Sequence, residues 1–477
     1  MSRLFRLASP GALLAAAALS AVAVAQVPTP NNQADITHQE IQDVHNAGAV
    51  GGVNGYAWGS FTCNIGSDSL TWVNGNSPAL GMNAYRLYDV GGGAGMRLVQ
   101  VGLGFCKHAC CVANGAGCGG TCVSTGGAGL RAGCRDIYSG GFNAGQTRLG
   151  PRSGINPFLG TFTPIGALPG GSSAITRKVQ VPQTEMNAAA FPNALYFAEG
   201  VYVCAEEKEG AQLNNATYRR MNVANAGATP TYAWTVASGT GGASMAGVPA
   251  IEAWRAHGRG LNMQDTSVAI SIVDVPSEGR FYVAGKAVDL SGTAGTGPWR
   301  YEYAVFNLNS ARAGGSLTVP VPTSSTVTDI GFRDVNYHSG EIYDNTDWIG
   351  TKVGPAVRFA STTTHATNAA GNAVRWGTMY NFWFTADVAP AAAPGSVALG
   401  LYVPGTPAEI VATGLPVPME TIPCAADFNG ANGLTLQDLF DFLDAYFRND
   451  VRADYNGAGG VDIQDVWDYL GGYFVGC

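Results

Sequence analysis

Alternation with a period of two dominates the second half of the chain. Residues 299–306 (WRYEYAVF) set Trp299, Tyr301, Tyr303 and Val305 on one face and begin the other with Arg300 and Glu302. Residues 280–288 and 373–384 alternate likewise, and 396–403 is a further strand-like run. Successive side chains of a strand point to opposite faces, so the pattern predicts half-buried strands. Gly, Pro, Asn and Ser turns between short strands predict an antiparallel β-sandwich over 226–415. Further strand-like runs at 96–105 and 195–204 make 26–225 a second β region. The period changes near the C-terminus. Leu439, Phe440, Leu443, Tyr446 and Phe447 recur at helical spacing, as do Val466, Trp467, Leu470, Tyr473 and Phe474. Each set predicts a helix with one apolar face, and the two faces are expected to pack against each other.

These helices belong to a tandem duplication. Residues 426–447 (ADFNGANGLTLQDLFDFLDAYF) return 27 positions later as 453–474 (ADYNGAGGVDIQDVWDYLGGYF). Each copy opens with Asp-x-Asn and has an Asp eleven residues further on. A hard cation such as Ca²⁺ takes six to eight oxygens from a tightly curled twelve-residue loop. The oxygens on offer come from Asp427, Asn429, the Gly433 carbonyl, Thr435 and Asp438, and from Asp454, Asn456, the Gly460 carbonyl, Asp462 and Asp465. Asn432 and Gly459 suit the left-handed turn at the sixth position. The fifth position is Ala431 or Ala458, so each loop lacks one side-chain oxygen and weak affinity is expected, with water filling the gap. Cys424 and Cys477 bracket the unit, and a bridge between them would clasp its ends.

On these motifs the tail, residues 424–477, resembles a dockerin, and its Gly-Cys ending and D-[FY]-N-G…Q-D-[LV]-[FW]-D-[FY]-L wording resemble the GC-type dockerin-like subgroup. The resemblance implies a small all-α module that binds Ca²⁺ and docks onto a cohesin domain. Family contacts often involve loop positions 10 and 11, which here are Leu436 with Gln437 and Ile463 with Gln464. The body, with wording such as YEYAVFNLNS and VRWGTMYNFWF, resembles other secreted bacterial proteins ending in such tails, a likeness that brings no activity with it.

Composition supports this division. Glycine supplies 66 of 477 residues, about twice its usual ~7% share, and only 13% are charged against a usual ~25%. A disordered polyelectrolyte, a coiled coil and a basic nucleic-acid binder are excluded. The net charge of −8 is concentrated in the tail, where nine Asp face two Arg. A short acidic tail on a nearly neutral body argues for a separate module. A Pro-rich spacer over 404–423, with five prolines, is expected to join them.

The first residues read as a secretion signal over 1–25: Arg3 and Arg6, an uncharged run from Leu13 to Val24, then Ala23-Val24-Ala25. A secreted, extracellular or cell-surface protein without a membrane span is expected. Ten cysteines on an exported chain imply disulfides. Eight lie in the N-terminal half: Cys63, Cys106, Cys110, Cys111, Cys118, Cys122, Cys134 and Cys204, with their pairing open. The Gly-rich stretch from Cys110 to Cys134 is expected to be ordered by such bridges. CxxxC spacings near His108 are off the usual zinc pattern.

Catalytic motifs such as HExxH, GxSxG or a Walker loop are absent from the sequence. The densest polar cluster, Asp334, His338, Glu341, Asp344 and Asp347 before Trp348, reads first as a polar β-loop and second as a sugar or calcium site. Glu206, Glu207 and Glu209 read as a solvated turn, and His38 and His45 stand at helical spacing. The expectation is therefore a structural or binding β body, leaning away from an enzyme, docked to a cohesin-like or cell-surface scaffold partner through a calcium-dependent tail. Two rivals stand beside it: a polysaccharide-degrading glycoside hydrolase carried by the tail, and a sorting or anchoring tag with no cohesin partner.

Overall fold

The computed structural model describes residues 33–73, 77–122, 129–163, 170–207, 210–225, 231–292, 295, 297–418, 426–429 and 434–475. The expected signal, Glu209, Ala431, Asn432, Gly433, Cys424 and Cys477 lie outside them. The protein is mainly antiparallel β with a small helical region at its C-terminal end.

Eight strands run along the first, twelve-stranded sheet. They are β1 (Ile36–Val50), β2 (Val53–Asn64), β3 (Ala79–Asp89), β4 (Met96–Leu103), β5 (Val179–Pro182), β6 (Leu195–Val203), β7 (Ala216–Asn225) and β8 (Tyr232–Val236). Their spatial order is β1-β2-β5-β4-β3-β6-β7-β8. Gly51 and Gly52, at φ of +58° and +80°, make the two-residue turn from β1 to β2, which requires positive φ at both positions. The sheet curls until its ends meet. Asn46 on β1 donates Nδ2 to Trp234 O on β8 and accepts from Trp234 N, at 3.0 and 2.8 Å. Inside the curl Tyr56, Trp58 and Trp234 pack ring on ring. His38 and His45 therefore sit on a strand, not a helix: β1 pairs with β2 along its length, and that pairing outweighs a seven-residue spacing.

Two five-stranded sheets follow. Their strands are β9 (Ala269–Val275), β10 (Gly279–Asp289), β11 (Trp299–Asn307), β12 (Gly314–Pro320), β13 (Val327–Arg333), β14 (Ile349–Val353), β15 (Ala356–Ala360), β16 (Met379–Ala386), β17 (Gly395–Leu401) and β18 (Glu409–Leu415). One sheet is ordered β9-β10-β11-β16-β13, the other β14-β15-β12-β17-β18. They face each other over a core of Tyr301, Tyr303, Val305, Phe359, Phe382, Phe384 and Leu399. The expected sandwich is present, but its boundaries move. β8 belongs to the first sheet, and 409–415, which the expected sandwich and the expected spacer both included, is the outermost strand of the last one. Pro404, Pro407, Pro416 and Pro418 stand outside the strand, where no ladder hydrogen bond is lost, and Pro423 lies outside the described residues.

The second face of the middle sheet is not solvent. Tyr282, Ala284, Ala304, Phe306 and Met379 join Tyr85, Leu87, Leu98 and Phe197 of the first sheet in one core. Arg300 and Glu302 lie in that seam. Glu302 accepts two hydrogen bonds from Arg97, at 2.7 and 2.5 Å. Its Oε1 also takes one from Arg300 Nε at 2.8 Å. The body is thus three sheet layers with the middle one buried on both faces.

Two disulfides, Cys63–Cys118 and Cys122–Cys134, tie the Gly-rich stretch to β2 and to itself. Cys106, Cys110, Cys111 and Cys204 are free thiols.

Candidate functional site

The duplicated tail is built on α1 (Leu436–Phe447) and α2 (Ile463–Val475). Both begin at the tenth loop position, three residues before the first apolar residue of the expected face. Asp438 and Asp465 sit in the first turn of each helix, where a carboxylate meets unsatisfied N–H groups. Asp438 Oδ2 accepts from Thr435 N and Oγ1, both at 2.8 Å, and Asp438 Oδ1 from Asn429 N at 3.1 Å. Asp465 repeats this: Oδ2 accepts from Asp462 N at 2.8 Å and Oδ1 from Asn456 N at 3.1 Å. Donation from Asp462 N, with Asn456 N and Tyr455 N, holds the Asp465 carboxyl below its ordinary value against the effect of burial. At Asp438 burial pushes the other way, and the hydrogen bonds outweigh it.

One further carboxylate per copy completes the arrangement. Asp441 accepts from Asn429 Nδ2 at 2.9 Å and Gln437 Nε2 at 2.8 Å. Asp468 does the same for Asn456 at 3.0 Å and Gln464 at 2.9 Å. The sequence carries this pair openly, as Asp four residues after Gln in both copies, a signal the loop-position reading passed over. In the second loop Asp454 Oδ2 accepts from Gly459 N at 3.0 Å, while Asp454 Oδ1 is buried without a partner. Gly459 has φ +96°, the left-handed conformation its position calls for.

The oxygens of the second loop thus fit a hard cation in kind, and one of them is orphaned. Among the described residues, however, no three His, Cys, Asp or Glu side chains stand close enough together to hold a metal ion. Asp427, Asn429, Thr435 and Asp438 of the first loop are described, but its Gly433 is not.

The helix faces divide differently from the expectation. Phe442 and Tyr469, equivalent residues of the two copies, stack at 3.9 Å with planes 2° apart. Phe428 and Tyr455, also equivalent, meet them edge-on, and Tyr469 Oη donates to Ala426 O at 2.9 Å. Leu439, Leu443, Tyr446, Val466 and Tyr473 pack round this centre. Phe440, Phe447, Trp467 and Phe474, expected inside, are outside. Leu436, Phe440 and Phe447 are 60, 55 and 80% exposed, and Ile463, Trp467 and Phe474 are 61, 62 and 79% exposed. Positions i, i+4 and i+11 fall on one narrow side of a helix, so each copy carries the same exposed apolar stripe.

The polar cluster of the body does not gather into one site. Asp334 Oδ2 accepts from Asn372 Nδ2 at 2.5 Å, and burial raises its carboxyl to about 6. His338 reaches Leu103 O through Nε2 at 2.7 Å, and burial lowers its pKa. Glu341 accepts from Arg152 N and Ser153 N at 2.7 and 3.3 Å. Asp344 accepts from Thr346 N and Oγ1, which lower its carboxyl. Asp347 is exposed. Trp348 is buried and donates Nε1 to Asn372 O at 2.9 Å. Glu207, expected in a solvated turn, is 5% exposed and accepts from Ile36 N and Asn215 Nδ2.

No helix among the described residues is long and apolar enough to cross a membrane. Comparison with protein-family models gives no match, and comparison with curated proteins finds no relative.

Proposed function

We propose that the C-terminal helix pair is a dockerin-like docking module, calcium-dependent, that attaches a secreted β body to a cohesin-like or cell-surface scaffold partner. The duplicated exposed stripe supports this reading most directly. A helix pair this small keeps its apolar residues inside unless another surface covers them. Here six large apolar side chains lie outside a core that is already complete without them. Leu436 and Ile463 open the two stripes at loop position 10, and Gln437 and Gln464 stand beside them. Asp454, Asn456, the Gly460 carbonyl, Asp462 and Asp465 would hold Ca²⁺ in the second loop. Asp427, Asn429, Thr435 and Asp438, with the Gly433 carbonyl, would do so in the first. The ion would supply the charge that gathers these oxygens and fixes the stripe on each helix. The body is the cargo, a structural or binding domain, and the dispersed polar cluster gives no support to a pair of catalytic carboxylates.

The test is capture of the full chain by native cell-surface material. Capture is expected in millimolar Ca²⁺ and lost with chelator. Because the stripes are equivalent, Phe440→Ser or Trp467→Ser alone should retain most capture and the double variant should abolish it. Capture that ignores both chelator and the double variant overturns the reading.

A further inference from the structure

A cavity of about 260 Å³ lies where the two halves of the body meet. The first half contributes Ser153 and the short hairpin carrying Thr161, with Thr163 just beyond it. The second half contributes Ala311, Tyr343, Arg375 and Trp376. Arg375 is the unusual member. It is only 6% exposed and stands between the rings of Tyr343 and Tyr402, at 4.2 and 4.9 Å. Its Nη2 donates to Ala369 O and Gly371 O, at 3.0 and 2.7 Å, while Nε has no acceptor. Arg97 and Lys286, also buried, do have a carboxylate, Glu302 at 2.5 Å and Asp265 at 2.6 Å, whereas Arg152 and Lys107 share its lack of one. Among the described residues none lies within 4.0 Å of Arg375. Glu341, two residues from Tyr343, is turned onto Arg152 N and Ser153 N instead.

A desolvated guanidinium with carbonyl partners and no counter-charge is costly, and an incoming anion offsets that cost. A planar carboxylate suits it best. The remaining wall carries the hydroxyls of Ser153, Thr161, Thr163 and Ser310 and the rings of Tyr343 and Trp376 among mostly small, apolar residues, and a bare inorganic anion leaves these groups unused. We propose that this cavity is a subsite for a carboxylated sugar residue, a uronate, with Arg375 as the carboxylate anchor. This goes beyond the docking reading and is independent of it, because no residue of the tail lines the cavity.

Calorimetric titration of the full chain with glucuronate, glucose and acetate tests it. Glucuronate is expected to bind at least about tenfold more tightly than glucose, which lacks the charge, or acetate, which lacks the hydroxyls. Arg375→Gln should abolish binding. Because that buried change can also unfold the loop, Ala311→Trp serves as a second variant. Ala311 is exposed at the cavity wall, so the indole fills the cavity without disturbing the core. It should abolish binding with unchanged thermal stability. No heat with glucuronate up to about 10 mM, equal binding of glucose or acetate, or full binding by Ala311→Trp overturns the proposal.

Discussion

His38 is held in a place with no room for charge. Its side chain is 1% exposed, Nδ1 lies 3.3 Å from Gly200 O and Nε2 has no partner. Burial lowers its pKa from 6.5 to about 4. Between those values the unfolded chain takes up a proton that the folded one refuses, so stability falls as pH is lowered through that window. The loss reaches about 3 kcal/mol by the bottom of it. Glu207, raised well above its ordinary value by burial, has the opposite slope, because the fold keeps a proton that the unfolded chain releases. Comparing urea midpoints of the native chain and His38→Gln from pH 7 to 4 isolates the histidine. The variant should lose that part of the acid sensitivity, and equal slopes would refute the assignment. Neither burial was legible in the sequence. His38 meets Gly200 162 residues away, and Glu207 meets Ile36 at 171, so only the closed sheet brings their partners.

At the scale of elements, periodicity located β10, β11, β16 and β17 and both tail helices, and left β9, β12, β13, β14, β15 and β18 unmarked. It failed where an element carries more apolar residues than one interface can use. In α1 the inner line runs through Leu439, Phe442 and Tyr446, and the outer one through Leu436, Phe440 and Phe447. Hydrophobicity alone does not say which is covered. The duplication does not say either, because both lines recur in the second copy; the stacking of Phe442 on Tyr469 does. Tyr469→Ala should therefore cost about 3–5 kcal/mol in the tail. Hydrogen exchange should show 436–447 and 463–475 losing protection while β10 and β11 keep theirs. Retained protection in both helices would place the tail's stability elsewhere. A similar ambiguity affected β11, where Arg300 and Glu302 have the polarity of a wet face but are buried. Their charges are matched by Arg97, 205 residues distant from Glu302, and by Asp329.

For the whole molecule, the middle sheet makes the two halves of the body one unit. Gln100 Oε1 accepts from Met379 N at 2.7 Å and Asn381 Nδ2 donates to Leu98 O at 2.8 Å, so backbone as well as side chains bind across the seam. Glu302→Leu would leave Arg97 buried without its carboxylate, a cost of about 3–5 kcal/mol. Urea denaturation should show that loss as a shift of a single transition, since the middle layer has no face to itself. Two separated transitions would show that the halves fold independently. The division into 26–225 and 226–415 reflected the change in cysteine and alternation along the chain, which is blind to layers shared between distant segments. The meeting of β1 with β8 has a consequence of its own. A ribbon whose first and last lanes meet through the Asn46 side chain has the backbone of Trp234 already engaged there, and so offers less free selvedge to a passing extended peptide. A single cut in one of its surface turns would leave the severed pieces still held by their neighbours on either side.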